Sequence, residues 1–202
     1  MEKQVNPTNV LIAVPSSDLI HTDFSMALLN LSLHSLMNGV QIGVVNPRFS
    51  LVQIGRCDSV EHALKMGVNW LFFIDSDMTF PADTLIKLLA HDKDVVCCDA
   101  STRRLPLHNV VTKLNGESIN YKEDNPHLIE LKGGSTACML IKTSILKNMT
   151  KPHFHVEWDG DKYLGEDYYF TKKITDCGSK VYCDTKLSRS IGHIGIKTYG
   201  VT

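Results

Sequence analysis

The sequence predicts one α/β domain with a mixed sheet that is mostly parallel in its N-terminal half and antiparallel in a small section of its second half. Apolar runs of strand length alternate with stretches of helical periodicity through the first half of the chain. After Arg104 the pattern changes to short strand-like runs separated by turns. The length of 202 residues, without internal repeats or linkers, suits one well-buried domain over residues 1–202.

Strands and helices alternate along the first half. Strands are predicted at residues 9–16, 40–46, 70–75 and 94–100, and helices at 22–37, 50–66 and 81–91. Gly39 and Gly67 are placed to end the first two helices, and Pro81 is expected in the first turn of the third, where its missing N–H costs nothing. Such βα units favour a parallel sheet with helices on both faces and ligands at the carboxyl ends of the strands.

Shorter elements are predicted in the second half. Antiparallel strands are expected at 108–114, 115–122 and 127–132, with a hairpin turn at Asn115-Gly116. A further strand at 136–142, a short helix at 143–149, an extended segment at 153–158, a helix at 165–178 and a strand at 180–185 follow, before a loop-rich tail.

Composition excludes several classes of protein. The net charge of -1 provides no global basic field for nucleic acid, although Arg103-Arg104 is a candidate local basic patch. No apolar run approaches the length of a membrane span, and the run at residues 10–14 is too short for a signal-peptide core. The six cysteines form no C-x-x-C pair and mostly lie in apolar runs, which predicts reduced thiols in the cytoplasm.

The stretch "LFFIDSDMTF" places Asp75 and Asp77 directly after a buried strand. Two such carboxylates at a strand end can converge on one hard cation, and a cation held there can neutralise a diphosphate leaving group. The same letters fit a haloacid-dehalogenase-type phosphatase with Asp75 as nucleophile. Against that alternative, two βα units precede the motif, and the lysine and acidic pair expected downstream are hard to place.

Five segments in order resemble GT-A-fold glycosyltransferases, especially the small cytosolic, viral or phage enzymes related to family 2. The segments are "LIAVPSSD", "GRCDSVEHALKMGVNWLFFIDSDMTFP", "CCDASTRRLP", "GGSTACMLIKTSIL" and "GEDYYFTKKITDCGSKVYCDTKLSRSIGHIG". The resemblance implies a Rossmann-like GT-A sheet with a nucleotide-binding half (1–104) and an acceptor or sugar half (105–202). It also implies transfer of a sugar from a nucleotide-diphosphate donor, with a UDP-sugar favoured, to a hydroxyl of a glycan or glycoprotein. For a viral protein the location would be the host cytoplasm.

The same resemblance implies a metal site and a base. Asp77 would be the principal ligand of Mn²⁺ or Mg²⁺, Asp75 would contact the metal or the ribose, and His193 in "IGHIG" would be the late ligand. Asp167, with Glu166 as the second choice, would deprotonate the acceptor hydroxyl. A base on the far side of the sugar would make the reaction a single, inverting displacement, although the sequence leaves a retaining outcome open.

Donor and acceptor contacts follow from the same comparison. The implied donor-binding residues are Pro15, Ser16, Asp18, Arg56, Ser76, Arg103, Arg104, Gly133 and Gly134. Trp158 with Asp159 would form an acceptor-side platform. The sequence departs from the family at Cys57, where asparagine is common, and it stops soon after His193, which suggests a compact catalytic module and leaves the acceptor open. A non-catalytic sugar-nucleotide or carbohydrate binding module is the remaining alternative.

Overall fold

The computed structural model describes residues 8–103 and 106–195. Its strands are β1 Asn9–Ala13, β2 Gln41–Val45, β3 Trp70–Ile74, β4 Met78–Thr79, β5 Val95–Cys97, β6 Thr112–Lys113, β7 Leu128–Gly133, β8 Cys138–Lys142, β9 Glu157–Trp158, β10 Tyr163–Leu164, β11 Val181–Asp184 and β12 Gly192–His193. Its helices are α1 Thr22–Met37, α2 Val52–Met66, α3 Thr84–Ala90, α4 Thr143–Lys147, α5 Glu166–Asp176 and α6 Thr185–Ser188.

Eight strands form one mixed sheet in the order β2-β1-β3-β8-β5-β11-β7-β6. β1 is parallel to β2 and β3, and β5 is parallel to β11, whereas the other four pairings are antiparallel. The predicted α/β class with a mixed sheet is therefore confirmed. The expected parallel run ends at β3, because β8 lies between β3 and β5 and is antiparallel to both.

Helices cover both faces of the sheet, and the side chains of β3 are buried on both faces. All five of its residues are buried. Leu71 and Phe73 pack in the cluster that includes residues of α2, α4 and α5, whereas Trp70, Phe72 and Ile74 pack in the cluster that includes residues of α1 and α3. Side chains alternate between the two faces of a strand, so a continuous apolar run indicates a strand covered on both sides.

Two local predictions need correction. Pro81 lies before α3 rather than in its first turn, because a turn closed by the Thr84 amide and the Pro81 carbonyl (3.1 Å) precedes the helix. This turn follows Phe80, whose ring packs edge-on against Phe24 in the core. The segment after Asn115 makes one bridge, between Thr112 and Ser118, instead of a full returning strand.

Two short pairings lie outside the main sheet. β9 pairs with β10, and β12 pairs antiparallel with β4, with Gly192 opposite Thr79 and His193 opposite Met78. The second pairing brings the segment around His193 to the residues that follow β3. In the described ranges no helix has the length and apolar character needed to cross a membrane.

Candidate functional site

A buried arginine gathers three carboxylates at the carboxyl end of β3. The Arg56 side chain on α2 is 3% exposed. Its Nη2 donates to both carboxylate oxygens of Asp75 (2.9 and 3.1 Å), and its Nη1 donates to Glu166 (2.7 Å) and to Asp167 (2.6 Å). We call these four residues the arginine–acid cluster. Arg56 and Asp75 are far from Glu166 and Asp167 in the sequence. The planar guanidinium of arginine can donate hydrogen bonds to several carboxylates at once.

Local structure fixes each member of the arginine–acid cluster. The Asp75 amide donates to the Ala137 carbonyl (3.0 Å), which places Asp75 directly beyond the β3–β8 ladder. Glu166 and Asp167 occupy the first turn of α5, where the helix dipole favours negative charge. Burial opposes the charge of Arg56, but Asp75, Asp167 and Glu166 together hold its pKa above the usual value.

Asp167 combines partial exposure with a raised pKa. Its side chain is 28% exposed, and Oδ1 accepts hydrogen bonds from Arg56 and from the Thr136 hydroxyl. Burial raises the pKa of Asp167, and repulsion from Glu166 and Asp75 adds to this, whereas Arg56 and Thr136 act to lower it. A partly exposed carboxylate with a raised pKa is a candidate general base.

A second group, which we call the Asp77 cluster, consists of Asp77, Arg103 and His193. Arg103 Nη1 lies 2.6 Å and His193 Nε2 lies 3.4 Å from Asp77 Oδ2. His193 Nδ1 lies 2.8 Å from the Ser101 carbonyl, which requires an N–H on Nδ1. In the neutral imidazole Nε2 therefore carries the lone pair on the side of Asp77, an arrangement that second-shell carbonyls impose on metal-binding histidines.

Asp77 and His193 each favour the charged form of the other. The hydrogen bond with Asp77 raises the pKa of His193, while burial acts against it. Burial would raise the pKa of Asp77, but the hydrogen bond and charge of His193, together with Arg103, lower it overall. Protonated His193 and the Arg103 guanidinium therefore both favour the ionised form of Asp77.

The β4–β12 pairing assembles the Asp77 cluster. Besides the two paired residues on each strand, the Ile194 amide donates to the Asp77 carbonyl (2.7 Å). A Cβ at Gly192 would overlap the Thr79 hydroxyl, so glycine at residue 192 leaves room for that side chain where the two strands pair. The glycine before His193 in "IGHIG" thus has a steric role.

A cavity of about 240 Å³ adjoins the two clusters. Its apolar walls come from Pro15, Pro47, Phe49 and Val52, and its acidic end from Asp75 and Asp77. Ser16, Ser17, Ser50, Gly55 and Ser76 complete the lining. The Asn46 side chain donates to the Val14 carbonyl (2.6 Å) and to the Ser16 hydroxyl (2.9 Å), so it holds the loop after β1 in place.

The structure brings together some of the predicted donor-binding residues. Pro15, Ser16, Asp75, Ser76 and Asp77 line this one cavity, whereas Asp18 is exposed and outside the lining. Arg56 is buried and paired to carboxylates, and Arg103 is paired to Asp77. Arg104 lies outside the described residues.

The remaining predicted residues lie in other environments. Gly133 and Gly134 are buried, and a Cβ at these positions would meet Tyr168 and Thr171 respectively. The Trp158 ring is 55% exposed and packs edge-on against Tyr163 at a centroid distance of 5.0 Å. The Asp159 carboxylate accepts the amides of residues 161 and 162 (3.0 and 2.9 Å) and so holds the turn between β9 and β10.

Sequence reasoning missed several residues of the two clusters and the cavity. Thr136 orients Asp167, Ser101 orients His193, and Pro47, Phe49 and Val52 form the apolar wall. Each of these acts through a contact with a segment distant in the chain. No local sequence motif predicts such contacts.

Asp99, just beyond β5, is a further buried acid. Its Oδ1 accepts the amides of Ala100 (2.8 Å), Val110 (3.0 Å) and Val111 (3.2 Å). Burial nevertheless raises the pKa of Asp99 to about 6, although these hydrogen bonds and Tyr121 act to lower it. Asp99 therefore connects the segment at residues 110–111 to the end of β5. Its ionised form is unfavourable in this buried position.

We expect this charge to reduce stability as the pH rises. Asp99 binds its proton more tightly in the folded chain than in the unfolded chain, where its pKa is the ordinary 3.8, so the free energy of unfolding falls between pH 4 and pH 7. Relative to Asp99→Asn, the wild type should lose about 2–3 kcal/mol over this range. Urea denaturation of both proteins at several pH values measures the difference. If the free energy of unfolding changed with pH in the same way in both proteins, the raised pKa of Asp99 would be contradicted.

Comparisons with known proteins show a likeness of fold. No family model and no curated protein matches the sequence. Among solved structures, the fold is similar to that of A197 from STIV, with a TM-score of 0.59 and 17% sequence identity over 96% of this chain and 97% of that chain. At this identity the likeness establishes a shared fold over nearly the whole length of both chains.

Proposed function

We propose that this chain is a metal-dependent glycosyltransferase of the GT-A type, which transfers a sugar from a nucleotide-diphosphate donor to a hydroxyl acceptor. One observation carries the proposal. The β4–β12 pairing joins Asp77 to His193 beside a cavity that Asp75, Ser76 and Asp77 share with Pro15 and Ser16. A metal-binding pair at the carboxyl end of a central strand, next to an apolar slot, suits a nucleotide diphosphate.

The cavity would hold the nucleoside of the donor. Phe49 and Val52 offer apolar surface for a base, and the hydroxyl of Ser16 offers a hydrogen bond. Its volume of about 240 Å³ suits a compact pyrimidine nucleoside, with the diphosphate extending along the acidic end. We favour UDP as the nucleotide because the sequence resembles GT-A-fold glycosyltransferases.

Asp77 and His193 fit a divalent cation. The Asp77 carboxylate and the Nε2 lone pair of neutral His193 would hold Mn²⁺ or Mg²⁺, and Asp75 lies on the same loop. When bound, the cation would supply charge stabilisation for the departing nucleoside diphosphate. Arg103, which now pairs with Asp77, would become available to a phosphate oxygen.

Asp167 would prepare the acceptor. Its Oδ1 is held by Arg56 and Thr136, and its raised pKa favours acceptance of a proton from an acceptor hydroxyl. We propose a single inverting displacement with Asp167 as the base. The exposed Trp158 ring offers an apolar face for a sugar of the glycan or glycoprotein acceptor.

The phosphatase alternative has less support from the geometry. A nucleophilic Asp75 would need one carboxylate oxygen free to attack phosphorus. Both oxygens of Asp75 instead accept hydrogen bonds from the Arg56 guanidinium.

Asp77→Asn should abolish metal-dependent donor binding. In wild-type protein, UDP with Mn²⁺ at about 100 times its Kd should stabilise the fold by about 2.7 kcal/mol through mass action. That corresponds to a rise in Tm of about 5–10 °C for a chain of this size. UDP without Mn²⁺ should give little rise, and the variant should give little rise in either case.

Asp176→Asn is the matched control for this thermal-shift experiment. Asp176 is an exposed acid that pairs with Lys172 on α5, away from the cavity lining. It should retain the full wild-type shift. Equal stabilisation by UDP in EDTA and in Mn²⁺ would contradict the metal-dependent function.

A further inference from the structure

Three side chains of types that bind metals, two histidines and one aspartate, lie together outside the cavity beside Asp75 and Asp77. His91 follows the last residue of α3, His127 precedes β7, and Asp184 ends β11. One ligand atom from each lies within 4.8 Å of the other two. We call these residues the His–His–Asp cluster; none of them belongs to the arginine–acid cluster or the Asp77 cluster.

The carboxylate of the His–His–Asp cluster is fixed in place. The Asp184 side chain is 2% exposed. Its Oδ1 accepts the amides of Lys186 (3.0 Å) and Leu187 (2.8 Å), because Asp184 caps α6. These two hydrogen bonds set the direction of Oδ2, as second-shell contacts do for metal-binding carboxylates.

Both imidazoles turn the same nitrogen toward this carboxylate. His91 Nε2 lies 2.7 Å from Oδ2, and His127 Nε2 lies 3.2 Å from Oδ1. The two rings meet edge-on at a centroid distance of 4.9 Å. The two imidazoles thus approach the two oxygens of one carboxylate from segments that are distant in the sequence.

The donor set suits zinc. Imidazole nitrogen is a typical ligand of Zn²⁺, and two histidines with one carboxylate make a set found in zinc proteins, whereas Mg²⁺ prefers oxygen alone. Tetrahedral Zn²⁺ at normal bond lengths separates neighbouring ligand atoms by about 3.3 Å. The His91 and His127 nitrogens lie 2.7 and 3.2 Å from different oxygens of Asp184, and one ligand atom from each residue lies within 4.8 Å of the other two, so a tetrahedral site needs only a small adjustment of the side chains. The His127 side chain, 52% exposed, has room to provide part of it.

We propose that His91, His127 and Asp184 bind one Zn²⁺ ion, with water in the fourth coordination position. The adjoining cavity, about 530 Å³ in volume, gives that position access to solvent. Lys87 and Lys186 are among its lining residues, so it also suits a small anion in exchange for the water. The ion would tie together the ends of α3 and β11 and the start of β7.

Zinc titration of the metal-free protein tests this proposal. In competition with a chromophoric chelator, the wild type should bind one equivalent of Zn²⁺. His127→Gln should weaken this binding about tenfold or more, because losing a ligand costs at least as much as losing a second-shell partner. Co²⁺ in place of Zn²⁺ should give tetrahedral visible absorption bands in the wild type, and these should be lost in His127→Gln.

Two control variants assign the binding to these residues. His62→Gln removes a histidine of similar exposure (46%) that pairs with a carboxylate, Asp58, and it should bind Zn²⁺ as the wild type does. Asp77→Asn disrupts the Asp77 cluster and should also retain Zn²⁺. His127 is half-exposed, so its replacement should leave the urea midpoint of the metal-free protein unchanged, and His91→Gln provides a second ligand variant.

Three results would overturn the proposal. The first is the absence of stoichiometric Zn²⁺ binding in the wild type. The second is equal affinity in the wild type and His127→Gln. The third is loss of Zn²⁺ in Asp77→Asn with retention in His127→Gln, which would assign the ion to the Asp77 cluster.

Discussion

Replacing Asp167 by asparagine is expected to reduce the rate of sugar transfer about 100- to 10,000-fold, the range typical for loss of a general base. Asparagine keeps an oxygen that can accept from Arg56 and Thr136, so the local hydrogen bonds and the fold should persist. Donor binding should change little, because Asp167 is outside the lining of the nucleotide cavity. Release of UDP from a donor in the presence of an acceptor and Mn²⁺ measures the rate.

Glu166→Gln is the matched control for Asp167→Asn. Glu166 is adjacent on α5, shares the same Arg56 nitrogen and is similarly exposed. It should retain most of the activity. A larger loss in Glu166→Gln would transfer the base assignment to Glu166, and equal activity in both variants and the wild type would exclude a catalytic base at this position.

The pH profile should report the same group. The base must be deprotonated, so the rate should rise with pH through the pKa of Asp167, which burial raises above the usual range for an aspartate. This acidic limb should be absent from the residual activity of Asp167→Asn.

Replacing Arg56 by methionine is expected to destabilise the fold by about 3 kcal/mol, because it leaves a cluster of carboxylates without their counter-charge. Methionine roughly preserves the length and apolar contacts of the side chain, so lost charge pairing dominates the effect. The residual exposure of Asp75, Glu166 and Asp167, 21–28%, limits the cost by allowing them some hydration. Urea denaturation measures the loss.

Two comparisons isolate the electrostatic cause. Arg56→Lys retains the charge but lacks the planar fork that reaches three carboxylates, so its loss of stability should be intermediate. In an Asp75→Asn/Asp167→Asn background, Arg56→Met should cost clearly less than in the wild type, because fewer charges remain unpaired. The same cost in both backgrounds would show that packing, rather than charge, explains the effect.

Local patterns were sufficient to predict most elements of the N-terminal half. α1 has the predicted bounds, and α2 ends where Gly67 adopts a left-handed conformation with φ of 67°. Periodicity and glycine placement act over a few residues, so they are readable in one sequence. The insertion of β8 between β3 and β5 depends on pairing between distant strands, which those patterns do not encode.

The candidate site, like the fold, has features that the sequence predicts and contacts that it does not. Asp75 and Asp77 follow a buried strand, and Glu166 and Asp167 open a helix, so their residue types and positions were visible in the sequence. The partners were not. Arg56 was predicted to reach a nucleotide, yet the structure gives it four hydrogen bonds to carboxylates, an arrangement set by the packing of α2 against the sheet.

The β4–β12 pairing has a thermodynamic consequence for the Asp77 cluster. Only two residues pair on each side, whereas the main sheet has eight strands. Such a small element is expected to open at a lower free energy than the sheet, and amide exchange at Ile194 would report this opening. When the segment opens, His193 leaves Asp77. The apparent affinity for a cation would then equal the intrinsic affinity multiplied by the fraction of molecules with the segment closed.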